Sequence, residues 1–251
     1  MCRDRNAFSL IELLAVIAVA AILSALLIPG VQRARQGGAS AVCRANLHQM
    51  YAAYAMYLDD HNGRFFPWRE EVSGGTLWYW GLEDGGNAEG SRTLDKSHAR
   101  LAPYFDQVGG AEVCPSFPYE ATGTKQKFDV ASYGYGLNVY LIADTPANRA
   151  SGARSFRHIQ LPAETIVWGD SAQVNTWQSP ASPRNPMLEE WYFLSRDAPP
   201  SFHFRHRRQF NAVMADGSGR TFTPNRLDPR CDGLTGYIEP PGQDHFLRPV
   251  K

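Results

Sequence analysis

The chain has 251 residues, and its 25 Lys and Arg balance 25 Asp and Glu, so the formal net charge at pH 7 is zero. A hydrophobic content of 43% is enough to build a core, which excludes a disordered chain. Without excess positive charge, we expect no nucleic-acid partner bound through a basic patch. The mildly negative mean hydropathy argues against several membrane spans.

The concentrated hydrophobicity lies in residues 8–28, FSLIELLAVIAVAAILSALLI, in which only Ser9, Glu12 and Ser24 are not apolar. At about 1.5 Å per residue, a helix of this length spans roughly 31 Å, close to the ~30 Å hydrocarbon core of a bilayer. An ordinary secretory signal has a shorter apolar region of roughly 7–15 residues. The segment therefore predicts a single membrane-spanning helix in contact with lipid.

Glu12 is a carboxylate inside this apolar run. An acidic side chain at a helix centre costs about 2.5–3.5 kcal/mol on membrane insertion. It therefore either lies near the interface and reaches water or pairs with a cation. A cation appears if the chain is cut between Ala7 and Phe8, because the new α-amine then lies four residues from Glu12.

The run AFSLIELL at residues 7–14 resembles the processing site of type IV prepilins and type II secretion pseudopilins. In that family a prepilin peptidase removes a short leader on the cytoplasmic side, and the new N-terminal Phe is methylated. The resemblance implies that Phe8 becomes the mature N-terminus and that Glu12 pairs with the amine of a neighbouring pilin-like subunit. Ala7 departs from this pattern, since the family usually has Gly there.

Beyond the apolar run, Pro29 falls where these proteins commonly have a helix-kinking Pro. Residues 31–60 remain helix-prone, and Asn62-Gly63 predicts the end of the helix. Five side chains at 4-3-4-3 spacing form one stripe, which we expect to pack against a sheet. The members of this stem stripe are Cys43, Leu47, Met50, Tyr54 and Tyr57.

The remainder of the chain contains short β-like runs separated by turn residues, most clearly at 165–169 and 210–215. The sequence DGSG at 216–219 follows the second run and predicts a hairpin. A long hydrophobic helix packed on a small antiparallel β-sheet head is an α+β fold. The predicted long loops cover residues 73–92, 144–155 and 178–200.

The predicted organisation has four regions. They are a cytoplasmic leader at 1–7, a transmembrane and assembly helix at 8–28, an extramembrane helical stem at 29–62, and a head at 63–251.

His206 and Asp216 enclose nine residues and Gly217 follows, which gives the pattern H-x9-D-G. This pattern resembles the C-terminal signature of a large group of bacterial pseudopilin-like proteins with prepilin-type N-termini. Other segments also resemble that group and occur in the same order. They are residues 43–47, 56–63, 114–115, 132–135 and 169–171.

From residue chemistry, we expect Asp216 to cap a turn and His206 to make a local hydrogen bond. The alternative is a metal site drawn from His203, His206, Asp170 and Asp216. The chain lacks the regular acidic spacing of calcium loops, so the sequence predicts no cofactor, with a structural metal as the remaining alternative. It also lacks G-x-S-x-G, H-E-x-x-H, Walker and paired C-x-x-C motifs, which favours a non-enzymatic protein.

Cys2 would leave with the leader, so Cys43, Cys114 and Cys231 would remain in an oxidising compartment. An odd count allows one bridge at most. The sequence does not decide which two cysteines pair. Because Cys43 lies on the stem stripe, Cys114–Cys231 is the working hypothesis.

Three functional hypotheses follow. The first is a pilin-like subunit of a type II secretion or type IV pilus-like system, anchored in the cytoplasmic membrane with its N-terminus cytoplasmic and its head periplasmic or otherwise extracytoplasmic. The second is a membrane-tethered polysaccharide-binding protein using Trp68, Trp78, Tyr79 and Trp80, although core packing is the favoured role for these rings. The third is an anchored metal-dependent hydrolase.

Overall fold

The computed structural model describes residues 10–84, 90–108, 113–196, 200–240 and 242–250. Ala7 and Phe8, where processing is predicted, lie outside these residues. The chain forms two compact units, Met1–Gly38 and Ala39–Lys251. This division falls inside the predicted stem, and the four-region organisation remains a prediction.

The helix α1 runs from Leu10 to Asp60, and Pro29 lies inside it. In the first unit, the large apolar side chains between Leu10 and Ile28 are exposed. The mean hydropathy reaches 2.8 in an 18-residue window. By length and composition, α1 is the one helix in the described part of the chain that could cross a membrane.

The second unit contains the C-terminal part of α1, where the stem stripe is buried as expected. Tyr54 is fully buried, meets Trp168 edge to face at 5.9 Å, and donates a hydrogen bond of 2.8 Å to the Leu141 carbonyl oxygen. After α1 ends, Asn62 and Gly63 take positive φ angles of 55° and 75°. The left-handed residues after Asp60 confirm the predicted helix end.

The described part of the head contains short strands and further short helices. The strands are β1 (Glu70–Val72), β2 (Gly75–Trp78), β3 (Gly81–Glu83), β4 (Leu94–Asp95), β5 (Thr124–Lys125), β6 (Tyr135–Asn138), β7 (Ile166–Asp170), β8 (Gln173–Asn175), β9 (Met187–Glu189), β10 (Phe193–Leu194), β11 (Phe202–His203), β12 (Phe210–Met214), β13 (Gly219–Phe222), β14 (Arg226–Leu227) and β15 (Thr235–Tyr237). The helices are α2 (Ala102–Val108) and α3 (Pro146–Ser151), with 3-10 turns at Lys96–His98, Val139–Leu141, Phe156–His158 and Pro162–Glu164.

The central sheet has the order β10-β6-β7-β12-β13, and all its pairs are antiparallel except β10 with β6. Every residue of β6, β7 and β12 is buried, because these strands lie inside the sheet. Smaller sheets have the orders β1-β2-β3-β4, β11-β15-β14 and β5-β9-β8. The long apolar helix and these small sheets confirm the predicted α+β fold, with two antiparallel and two mixed sheets in the described residues in place of a single antiparallel one.

The three loop predictions are wrong in part. Residues 73–92 contain the hairpin β2–β3, 144–155 contain α3, and 178–200 contain β9 and β10. Both ends of α3 have sequence signals that could have predicted it. The Thr145 side chain accepts a hydrogen bond as the N-cap, and Gly152 ends the helix in the left-handed conformation. The strands found in these predicted loops have only two to four residues each. β9 forms by pairing with β5 and β8, and a local sequence pattern does not reveal such pairing.

Candidate functional site

Four side chains that can ligate a metal meet inside the head, and we call them the Cys–Asp–His cluster. They are Cys43, Cys114, Asp170 and His206, and one ligand atom from each lies within 4.8 Å of the others. All four residues are buried, with exposures between 0% and 4%. Solvent therefore has little access to the donor atoms.

Separate elements position these side chains. Cys43 belongs to the buried stripe of α1, and Asp170 is the last residue of β7. Cys114 lies before β5, where its backbone N–H donates to the Tyr133 carbonyl oxygen at 3.1 Å. His206 lies in the turn before β12, which is closed by reciprocal backbone hydrogen bonds with Gln209. The cluster therefore depends on the whole head being folded.

The Asp170 carboxylate is the centre of the cluster. Its Oδ1 accepts a hydrogen bond of 2.9 Å from Cys43 Sγ, and its Oδ2 accepts one of 2.9 Å from the backbone N–H of Asn211. His206 Nε2 lies 3.5 Å from Asp170 Oδ2 and 3.8 Å from Cys114 Sγ. The 3.5 Å separation exceeds ordinary N–H···O hydrogen-bond lengths of about 2.7–3.2 Å. His206 Nδ1 has no hydrogen-bond partner in the described residues.

Arg205 supplies a buried positive charge beside the cluster. Its guanidinium lies 2.8 Å from Asp170 Oδ1, and its Nε donates to Cys114 Sγ at 3.1 Å. It also donates to the Gly134 carbonyl oxygen. The Arg205 side chain is only 2% exposed, so the ion pair with Asp170 is screened little by solvent.

These charges shift the pKa values of the cluster. Burial raises the pKa of Asp170, but the Arg205 charge, together with the contacts from His206 and Cys43, outweighs this effect and holds the pKa below its ordinary value. A hydrogen bond from Cys43, and then the Arg205 charge, outweigh burial and lower the pKa of Cys114. Burial lowers the pKa of His206, but its contacts with Asp170 and Cys114 raise it to about 9. The cluster thus favours an anionic Cys114 sulfur and an anionic Asp170 carboxylate beside cations, whereas burial raises the pKa of Cys43 and favours its neutral thiol.

The structure brings together only some of the residues singled out by sequence. Asp170 and His206 meet in the cluster, where the His206 side chain contacts distant residues, while its backbone makes local hydrogen bonds with Gln209. His203 instead pairs with Asp232, at 2.8 Å between Nε2 and Oδ2. Asp216 caps the turn between β12 and β13, as its position suggested, by accepting hydrogen bonds from Ser218.

Gly217 follows Asp216 in this turn with a φ of 84°. A Cβ at this position would lie 3.1 Å from Cε1 of Tyr51 in α1. Tyr51 also donates a hydrogen bond of 2.8 Å to the Ala215 carbonyl oxygen. The last part of H-x9-D-G therefore forms a turn packed against the helix.

The sequence did not identify Cys43 and Cys114 as potential ligands, because they lie 71 positions apart in the sequence and Cys43 fits the apolar stripe. The available signal was that both begin segments resembling the pseudopilin-like group. Cys43, Cys114 and Cys231 are free thiols, and Cys231 is exposed on the segment between β14 and β15. The guessed Cys114–Cys231 bridge is not formed, since the Cys114 thiol contacts Arg205 and the Cys–Asp–His cluster.

The aromatic segment is largely part of the core. Tyr79 and Trp80 are 2% and 1% exposed, and Trp80 stacks on Tyr192 with ring centroids 4.0 Å apart. Trp68 is 41% exposed and lines a groove of about 240 Å³ together with Trp191. Among the rings proposed for sugar binding, Trp68 therefore offers the most accessible face.

Two residues singled out by sequence lie in the first unit. Glu12 lies in the first turn of α1, and Pro29 lies within the same helix. Residues 2–28 match the family described as the prokaryotic N-terminal methylation motif. This motif supports a prepilin-type, pilin-like protein, and together with the apolar helix it suggests a single-pass membrane anchor. No curated protein and no solved structure matches the chain.

Proposed function

We propose that the protein is a non-enzymatic pilin-like or pseudopilin subunit of a type II secretion or type IV pilus-like system. Prepilin peptidase cuts between Ala7 and Phe8, and the Phe8 amine is methylated. The helix anchors the protein in the cytoplasmic membrane, with the N-terminus cytoplasmic and the head extracytoplasmic. The match of residues 2–28 to the methylation motif carries this proposal.

The first unit supports assembly through the helix. Its large apolar side chains are exposed from Leu10 to Ile28, so lipid or other helices can cover them. Glu12 is the acidic residue in the first helical turn. A neighbouring subunit's α-amine would neutralise this carboxylate in hydrocarbon, where an unpaired charge is costly.

Intact-mass and N-terminal peptide mass spectrometry of the membrane-extracted protein tests processing. We expect a chain that begins with N-methyl-Phe8. Ala7→Gly restores the usual family residue and should be processed at least as completely, whereas Ala7→Leu should block cleavage because of its larger side chain. An intact Met1 in the wild-type protein would contradict the proposal.

Glu12→Ala tests assembly. We expect normal membrane insertion, because an apolar side chain suits the bilayer, but loss of crosslinked oligomers because the amine loses its partner. Ser24→Ala is the matched control, since it removes another polar group from the same apolar run. Crosslinking of equal amounts of membrane-inserted protein measures the effect, and wild-type oligomers from Glu12→Ala would refute the pairing role.

A second candidate function is a membrane-tethered polysaccharide-binding protein, which the exposed Trp68 beside an apolar groove favours. A Trp ring combines a large apolar face with a polar N–H group, which suits contact with a partly polar ligand. Binding on a glycan array should then fall for Trp68→Ala and persist for Trp177→Ala, a control at another exposed ring. Equal binding by both variants would exclude this groove as the binding surface.

A further inference from the structure

We propose that Cys43, Cys114, Asp170 and His206 form a structural zinc site in the head. This assignment adds a ligand where the sequence predicts no cofactor, and it is independent of the proposed assembly function. Of the four metal ligands that the sequence offered as an alternative, the site keeps Asp170 and His206. Cys43 and Cys114 take the places of His203 and Asp216, and the proposed ion is Zn²⁺.

The distances between donor atoms are close to those around a tetrahedral zinc ion. Zinc bonds of about 2.0–2.3 Å to nitrogen, oxygen and sulfur place ligand atoms roughly 3.3–3.8 Å apart. Asp170 lies 2.9 Å from the Cys43 sulfur and 3.5 Å from His206 Nε2, measured from its Oδ1 and Oδ2 respectively. Cys114 Sγ lies 3.8 Å from His206 Nε2, and the whole donor set lies within 4.8 Å. Small side-chain adjustments would therefore complete the coordination.

The donor types select zinc over the common hard cations. Calcium and magnesium prefer oxygen ligands, whereas two sulfurs and an imidazole suit zinc. Structural zinc sites use four protein ligands, while catalytic sites keep one position open for water. The complete donor set and its burial therefore favour a closed structural site over the hydrolase hypothesis.

Charge and unsatisfied polarity support the same assignment. Two thiolates and one carboxylate carry three negative charges, which a divalent cation and the buried Arg205 guanidinium would balance with His206 neutral. His206 is 4% exposed, yet Nδ1 lacks a hydrogen-bond partner in the described residues and the Nε2 contacts are long. A metal bond at Nε2 would compensate the desolvation of this buried imidazole.

Neighbouring groups already hold the ligands in position. The Asn211 N–H binds Asp170 Oδ2, and Arg205 binds both Asp170 Oδ1 and the Cys114 sulfur. Such outer contacts orient metal ligands. The site would join α1 to β7, across 127 residues between Cys43 and Asp170, and would stabilise the folded head.

The test uses the full chain in detergent, purified under reducing conditions, with its metal removed and one equivalent of Zn²⁺ or Co²⁺ restored. We expect one zinc per chain by elemental analysis. Co²⁺ should give thiolate charge-transfer bands and the strong visible bands of a tetrahedral site. Chelator should lower the melting temperature of the zinc-loaded protein, and restored zinc should reverse this change.

Cys43→Ser and His206→Gln should lose stoichiometric binding, while Cys231→Ser is a matched thiol control outside the cluster and should bind like the wild type. The wild-type cobalt spectrum keeps the test decisive if a ligand variant fails to fold. Free-thiol wild-type protein that binds no metal, or Cys43→Ser protein that binds normally, would overturn the proposal. A Cys43–Cys114 disulfide in the protein isolated without reductant, seen as a chain lighter by two hydrogen atoms, would also overturn it.

Discussion

Replacement of Gly217 by Ala tests the structural role of the H-x9-D-G turn. The backbone φ at Gly217 is 84°, and the added Cβ would lie 3.1 Å from Tyr51 Cε1. A left-handed backbone costs a non-glycine residue about 1–2 kcal/mol. Overpacking typically adds about 1–3 kcal/mol because carbon atoms pack best roughly 3.5–4.0 Å apart. We therefore expect Gly217→Ala to destabilise the head by about 2–5 kcal/mol.

Gly152→Ala separates backbone strain from the contact with Tyr51. Gly152 has a φ of 72°, but its added Cβ meets no atom within 4 Å, so only the strain of about 1–2 kcal/mol is expected there. Urea unfolding of the full chain in detergent, followed by tryptophan fluorescence, measures both losses. Tyr51→Ala should reduce the cost of Gly217→Ala to that of Gly152→Ala. Equal losses from the two glycine variants in the wild-type background would refute the steric argument.

Two further perturbations test buried charges. Lys125→Met should cost about 3–5 kcal/mol because it removes the cation beside the Glu189 carboxylate, which is 1% exposed and, among the described residues, keeps only the neutral amide donors of Gln173 and Asn175. Arg230→Met should cost about 0–1 kcal/mol because it breaks a surface pair. Equal losses in urea unfolding would contradict this contrast. Burial lowers the pKa of His203, and Asp232 opposes only part of that shift. A folded pKa below the unfolded value near about 6.5 means that stability falls as pH decreases through that value. Between about pH 7 and about pH 5, wild-type protein should therefore lose more thermal stability than His203→Leu, and parallel profiles would exclude His203 as the cause.

Sequence periodicity predicted the main elements because it reports local burial. The spacing of Cys43 through Tyr57 identified the buried face of α1, and DGSG at 216–219 identified the turn between β12 and β13. The short strands at 187–189 and 193–194 were missed because their pairing partners lie far along the chain. Local patterns do not encode such partners.

The candidate site was only partly accessible for the same reason. His206 and Asp170 were named by residue type among the alternative metal ligands, and Asp216, named with them, instead caps the turn that was its favoured role. Cys43 fitted an apolar stripe, so its thiol chemistry was overlooked. Convergence with Cys114 depends on tertiary contacts that residue spacing does not give.

The placement of the stem stripe sets an order for folding during synthesis. Cys43 binds Asp170 across 127 residues, and Ser40 receives a hydrogen bond from Asn211 across 171 residues. The ribosome therefore synthesises this helix face long before the strands that cover it. Contacts between residues so far apart in sequence form slowly because a long loop must close. A chain interrupted before β7 would lack the Trp168 ring that packs on Tyr54 and the Asp170 carboxylate that contacts Cys43, so this helix face stays incompletely covered until the C-terminal strands are synthesised.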